Sequence, residues 1–148
     1  MLEGNFIHQA KYTRDMLKKF SFGGELKSQP TPMSLAGRLD KDEDGVPVDQ
    51  KEYRGMIGSL MYRAATRSDI LFAVGLCARY RTSLHESHRN AVKRIFRYLT
   101  YTSDLGLFYS AASSLQLSAF SDADFGGYKL DHKSTLGTCM FLASSLVS

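Results

Sequence analysis

Two cysteines, three prolines and no long apolar run set the first limits on this 148-residue chain. Cys77 and Cys139 lie far apart in apolar surroundings and belong to no C-x-x-C or Cys/His cluster. Neither zinc ligation nor a disulfide framework is signalled, and both read as small buried hydrophobes. The longest apolar runs, such as Ile70 to Val74, fall far short of the ~20 residues a membrane helix needs, so no bilayer span is expected. The start, Met1-Leu2-Glu3-Gly4-Asn5, lacks the basic and apolar regions of a secretory signal, which makes an intracellular setting, cytoplasmic or nuclear, the expectation. Ready-made chemistry is scarce too. There is no G-x-x-x-x-G-K, no G-x-S-x-G and no Cys/His nucleophile arrangement, so phosphate-loop and hydrolase readings find no support.

What is present is a globular composition, 43% hydrophobic and 23% charged, which disfavours disorder and coiled coil. A compact chain of this size buries roughly 70% of the surface its unfolded form exposes, enough for a core without disulfides or metals. The net charge of +4 is unevenly spread. From Tyr53 to Tyr101 there are nine basic residues (Arg54, Arg63, Arg67, Arg79, Arg81, Arg89, Lys93, Arg94, Arg97) against Asp69 and Glu86, a net of +7, so the flanks sum to −3. A basic middle between acidic flanks fits contact with a polyanion such as nucleic acid, and it also fits an ordinary solvated basic face.

Four stretches follow from periodicity and composition. Residues 1–24 hold a short strand ending at Phe6-Ile7 and a helix from His8 to Phe20, with Tyr12, Met16, Leu17 and Phe20 at helical spacing and Gly23-Gly24 as the stop. Residues 25–50 carry Pro30, Pro32, Pro47 and the run Asp40-Lys41-Asp42-Glu43-Asp44-Gly45, the pattern of a flexible acidic connector. Residues 51–103 hold three helical patterns: Met56, Ile57, Leu60, Met61 and Ala64; then Ile70, Leu71, Val74, Cys77 and Ala78, opened by Ser68-Asp69 as a cap; then Val92, Ile95, Phe96 and Leu99. On the last, Lys93, Arg94 and Arg97 fall opposite the apolar stripe as a cationic ridge suited to a phosphate backbone. From residue 104 the period becomes two: strands over Leu105 to Tyr109 and Leu115 to Phe120 flank a turn at Ser110 to Ser114, a polar loop runs from Ser121 to Lys133, and a last strand from Thr135 to Leu146. The fold class is therefore α+β, helical first and then a sheet. The apolar end, Phe141-Leu142 and Leu146-Val147, reads as a truncated domain with an exposed sheet edge.

Two clusters could carry chemistry. In Ser121-Asp122-Ala123-Asp124-Phe125-Gly126-Gly127 the acids alternate at a strand end and point the same way, so Asp122 and Asp124 could share a hard cation such as Mg²⁺; the alternative is that they cap the turn and solvate the loop. His85-x-x-His88 has the spacing of a helical metal pair but no third ligand, which favours a structural role.

The string Tyr53-Arg54-Gly55-Met56-Ile57-Gly58-Ser59-Leu60-Met61-Tyr62, then Ala65-Thr66-Arg67-Ser68-Asp69-Ile70, resembles the "YR-x-x-(I/V)-G-S-L-x-Y … TRPDI" segment of copia-type LTR retrotransposon polyproteins. His88, Lys93-Arg94-Ile95-Phe96-Arg97-Tyr98-Leu99 and Thr102 to Tyr109 follow in that family's order. Phe120 to Gly127 with Asp131-His132-Lys133-Ser134-Thr135 is similar to its "YSDADWAG … D-x-(R/H)-K-S-T", and Phe6 to Gln9, Lys11-Tyr12, Leu17 to Phe20 and Thr31-Pro32-Met33 match upstream. The resemblance implies the end of a reverse transcriptase core over 1–24, the connector, a thumb- or connection-like helical region over 51–103 beside the primer-template duplex, and the first strands of an incomplete ribonuclease H-like sheet over 104–148. It also implies that Asp122 is one of the carboxylates that hold Mg²⁺ for attack of water on an RNA phosphodiester, with Asp124 supporting. Lys93, Arg94 and Arg97 would contact an RNA/DNA hybrid or duplex, and the rest of the polyprotein would be a partner. The polymerase Y-x-D-D acids are not in this chain, so it is expected to be inactive alone; the alternative is a non-enzymatic nucleic-acid or protein-binding module derived from a retroelement. Ser68, Arg89, Tyr101 and Phe125 depart from the family's proline, aromatic residue, glycine and tryptophan, a set that reads as a copy drifting without constraint.

Overall fold

In a computed structural model, residues 3–22, 27–34, 39–42, 44–111, 116–124 and 135–147 are described. The order is β1 (Gly4–Ile7), α1 (Ala10–Lys19), α2 (Gln50–Ala64), α3 (Ser68–Ala78), α4 (Glu86–Tyr101), β2 (Leu107–Ser110), β3 (Leu117–Asp124), β4 (Thr135–Leu142) and β5 (Ser145–Leu146). The architecture is α+β, with helices and two small antiparallel sheets, β1-β2 and β3-β4-β5. It divides into two compact units, Met1–Ile7 with Leu107–Ser148, and His8–Gly106.

The helical unit is built on the apolar stripes. Leu60 of α2, Ile70 of α3 and Val92, Ile95, Phe96 and Leu99 of α4 are fully buried together. Phe96 stacks on Phe22 at 4.9 Å between ring centroids and meets Phe20 edge-on at 5.4 Å, so the residues after α1 close one side of the core. Asp49 caps α2 by accepting from the Lys51 amide at 2.7 Å. The expected Ser68-Asp69 cap of α3 is not made. Arg67 is the N-cap residue and no side chain caps this end, because the Asp69 carboxylate is taken by a stronger partner.

That partner is Arg67, a nearly fully buried guanidinium. Its Nε and Nη2 donate to the two Asp69 oxygens at 2.8 and 2.7 Å, while Nη1 and Nη2 donate to the Thr102 carbonyl and hydroxyl at 2.6 and 2.8 Å. Tyr98 closes the ring by donating to Asp69 Oδ2 at 2.7 Å, and Thr102 donates to the Tyr98 carbonyl at 3.0 Å. Beside it Arg63, wholly buried, donates to Thr66 Oγ1 at 2.6 Å and to the Leu105 carbonyl at 3.3 Å, and Thr66 donates to Gln9 at 3.1 Å. The two cations therefore sit where α2 and α4 end and α3 begins. Negative helix C-termini favour positive charge at such a place. Burial, seconded by the charge of Arg67, lowers the Arg63 pKa to about 10, with Asp69 opposing. For Arg67 burial works against the charge, yet the Asp69 hydrogen bonds and carboxylate outweigh it and raise the pKa. Asp69 is the mirror case: burial pushes it up, but Arg67 and the Tyr98 hydroxyl hold it below its ordinary range.

In the other unit, β1 lies antiparallel to β2 from Gly4↔Ser110 to Ile7↔Leu107. A Cβ on Gly4 would collide with the Tyr109 carbonyl, so glycine is what allows this close pairing. β3 and β4 are paired from Leu117↔Leu142 to Asp124↔Thr135. The single strand expected over Thr135 to Leu146 is instead two, because the chain reverses at Ala143, whose φ is 55°, and β5 returns along β4. Tyr109 and Ser145 fasten the two sheets by donating to the Leu146 and Phe108 carbonyls, each at 2.8 Å. Ser121 to Asp124, expected in a loop, belongs to β3, and the strand expected from Leu105 begins at Leu107. The rest of that loop, and most of the turn expected at Ser110 to Ser114, lie outside the described residues, as do Gly23-Gly24. Cys77 is buried as expected, but Cys139 is only half-buried because its strand has a solvent-facing surface.

A carboxyl lowered by folding contributes stability that is fully present above its unfolded pKa, here 3.8, and is lost as the pH falls through the folded value. The urea midpoint of the wild type should therefore drop below about pH 4, and the Asp69→Asn variant should show a smaller drop. At neutral pH, Arg67→Met should lose about 2 kcal/mol, since the Thr102 carbonyl and Asp69 are left without their donor.

Candidate nucleic-acid interface and carboxylate pair

The cationic face of α4 is present but not free. Lys93, Arg94 and Arg97 lie opposite Val92, Ile95, Phe96 and Leu99, and all three are half-buried. Arg94 is committed: its Nε donates to the Thr31 carbonyl at 3.2 Å and its Nη2 to the Thr31 hydroxyl at 2.9 Å. The Arg97 Nε is buried without a hydrogen-bond partner among the described residues. Arg89, one turn earlier, pairs with Glu52 at 3.0 Å.

The described residues of the connector run along the start of α4 and the end of α3. Tyr80 donates to the Leu39 carbonyl at 2.9 Å, the Glu86 amide donates to the Val46 carbonyl at 3.0 Å, and Pro47 bridges His85. His88 explains its own place here. It is fully buried, stacked on Tyr80 at 4.3 Å, with Nε2 2.7 Å from the Asp40 carbonyl and Nδ1 3.1 Å from the His85 amide. A carbonyl only accepts and an amide only donates, so Nε2 carries the proton and Nδ1 is the acceptor. His85 Nδ1 in turn faces the Lys41 carbonyl at 3.1 Å. Both His88 nitrogens are used in structure, leaving none for a metal.

Asp122 and Asp124 are two residues apart at the end of β3, where the backbone is in register with Gly137 and Thr135 of β4. Asp122 is exposed. Oxygen donors of this kind suit a hard divalent cation, and two carboxylates fill only a minority of its coordination positions. Among the described residues no group of three His, Cys, Asp or Glu converges on one point. Asp131 to Ser134, the rest of that motif, lie outside the described residues. The carboxylate pair and the α4 cations belong to different units.

A groove that the sequence did not point to lies on the helical unit. About 440 Å³ in volume, it is lined by Arg54, Ile57, Gly58, Met61, Arg81 and Thr82. Arg54, Gly58 and Met61 recur at i, i+4 and i+7 on α2, a spacing that could have drawn attention to them.

The chain is 36% identical over 148 residues to the retrovirus-related Pol polyprotein from transposon RE2 of Arabidopsis thaliana, covering 99% of this chain and 10% of that protein. It is also 36% identical over 147 residues to the Pol polyprotein from transposon RE1 of the same plant, again 10% of that protein. The chain belongs to the copia-type retrotransposon Pol polyproteins. It spans about a tenth of the length of those two relatives. An uncharacterized mitochondrial protein of Arabidopsis thaliana is 32% identical over 150 residues, covering 98% of this chain and 60% of that protein. No protein-family model matches the chain, and no solved structure does. No helix among the described residues is long and apolar enough to cross a membrane.

Within this copia-type segment the motif around Thr66-Arg67-Ser68-Asp69-Ile70 is a structural lock, and His88 is a structural clamp. Substitutions along α4 should therefore have unequal effects. Arg94→Ala should speed proteolysis within residues 27–49 and cost about 1–2 kcal/mol, through loss of two charge-assisted bonds to Thr31, whereas Lys93→Ala should leave both within error.

Proposed function

We propose that this chain is the part of a copia-type Pol polyprotein where the reverse transcriptase gives way to ribonuclease H. The supporting observation is near-complete coverage by two Pol polyproteins at 36% identity, joined to a two-unit structure in which the helical unit, His8–Gly106, is followed by the strands of Leu107–Ser148, with β1 paired to the first of them. In this reading residues 1–24 close the polymerase core, 25–50 connect, the helices of 51–103 lie along the primer-template duplex as thumb or connection, and 104–148 are the opening strands of ribonuclease H.

The chain's own residues then have distinct tasks. Lys93, Arg94 and Arg97 present positive charge to the phosphates of an RNA/DNA hybrid, with Arg94 doing so from a position fixed by Thr31. Asp122 would hold Mg²⁺ and Asp124 would support it, both as oxygen donors at the end of β3. Bound there, the metal would supply Lewis-acid stabilisation of the phosphodiester under attack. One or two carboxylates do not hold two such ions, and no Y-x-D-D sequence is present, so this 148-residue chain is assigned binding without catalysis.

Purified chain should bind an RNA/DNA hybrid with an affinity that falls steeply with salt, and should leave the RNA strand uncut in Mg²⁺. Changing Lys93, Arg94 and Arg97 together to Gln should flatten the salt dependence by about one unit of slope per lost phosphate contact. Hybrid cleavage that disappears in Asp122→Asn would overturn the assignment of inactivity. A salt slope unaltered by the triple change would remove the α4 contacts from the reading.

A further inference from the structure

The basic segment looks, by count, like a uniform supply of cations, but the fold spends many of them. Arg63 and Arg67 are buried in the lock, Arg89 pairs with Glu52, and Arg94 is bound to Thr31. Arg54 and Arg81 are different. Both are exposed, they come from separate places in the chain, and they line the same groove. No carboxylate stands among its lining residues. Among the described residues Arg81 is held at one point: its Nε donates to the Ala78 carbonyl at 3.0 Å, satisfying an acceptor near the end of α3. Arg54, on the second turn of α2, has no hydrogen bond or ion pair among the described residues.

Two like charges lining one groove repel each other unless an anion or solvent intervenes. The floor between them is apolar, from Ile57 and Met61, and Gly58 leaves it open: a Cβ added there meets no atom within 4 Å. Thr82, also in the lining, brings a neutral hydroxyl donor. Paired guanidiniums with a hydroxyl and no carboxylate are complementary to phosphate oxygens, and the guanidinium fork binds them bidentately. We infer that the groove between Arg54 and Arg81 is a second phosphate-backbone contact, through which the helical unit grips a nucleic-acid strand. The inference rests on the reading of the chain as a nucleic-acid-binding part of Pol, and it places a main anchor on α2 and the segment after α3, in addition to α4.

The test uses the full chain, a fluorescently labelled RNA/DNA hybrid, and titrations across salt concentrations. Arg54→Gln with Arg81→Gln should lower affinity on the order of tenfold at low salt and make the log–log salt slope shallower by about two. Gly58→Glu puts a carboxylate into the groove at a site with free space, and it replaces glycine inside a helix, so thermal stability should hold or rise while binding weakens. If the wild type binds and the two groove variants keep its affinity and slope, the inference fails while the Pol reading stands. If the wild type does not bind the hybrid at all, the nucleic-acid reading fails and the inference with it.

Discussion

The helical unit depends on a buried cation that must never lose its partners. A guanidinium removed from water costs several kcal/mol unless its donors are satisfied. Arg67 answers that demand with Asp69 from the same turn and Thr102 from beyond α4, so the start of α3 and the end of α4 are fixed to each other by one side chain. Tyr98 makes the arrangement a closed ring, since its hydroxyl holds Asp69 while its carbonyl accepts from Thr102. Arg63 extends the same end toward Gln9, at the start of α1, through Thr66. Elements that share only apolar contacts can slide by a fraction of a turn; these cannot without breaking bonds to a charged group.

The opposite end of the helices is held differently. There the connector supplies backbone carbonyls, from Leu39, Asp40 and Lys41, to Tyr80, His88 and His85. Carbonyl acceptors are indifferent to the side chain that carries them, so a segment with little hydrophobic pattern can still be located by its partners. His88 does two jobs in one ring, receiving the amide of His85 as a Glu would in a capping box and donating to Asp40. Its packing against Tyr80 fixes the ring plane that makes both possible.

This division explains what could be read from sequence. The helices were legible because Met56, Ile57, Leu60 and Val92, Ile95, Phe96, Leu99 repeat with the helix period, and periodicity survives whatever the elements pack against. Strands β2, β3 and β4 were legible in place, but β1 pairing with β2 was not, because a strand's partner is decided by tertiary contacts that leave no local mark. Ala143 reverses the chain with a positive φ and no glycine to announce it. The cations were hardest. Arg63, Arg67, Arg54 and Arg94 look alike in a charge count, and burial, a threonine carbonyl or an open groove is what separates them.

The Thr66 to Ile70 string, which identifies the chain so readily, does its work inside the protein, with Arg67 and Asp69 facing each other and Ile70 in the core. A recognisable string therefore need not be a contact string. The residues open to a partner are those the fold leaves exposed and largely uncommitted. Asp122, exposed at the end of β3, meets that condition. So do Arg54 and Arg81, while Arg63 and Arg67 do not, although all four arginines stand in the same +7 segment. The charge that matters for binding is the total less what the core has already neutralised. It is smaller than the sequence total and concentrated at fewer places.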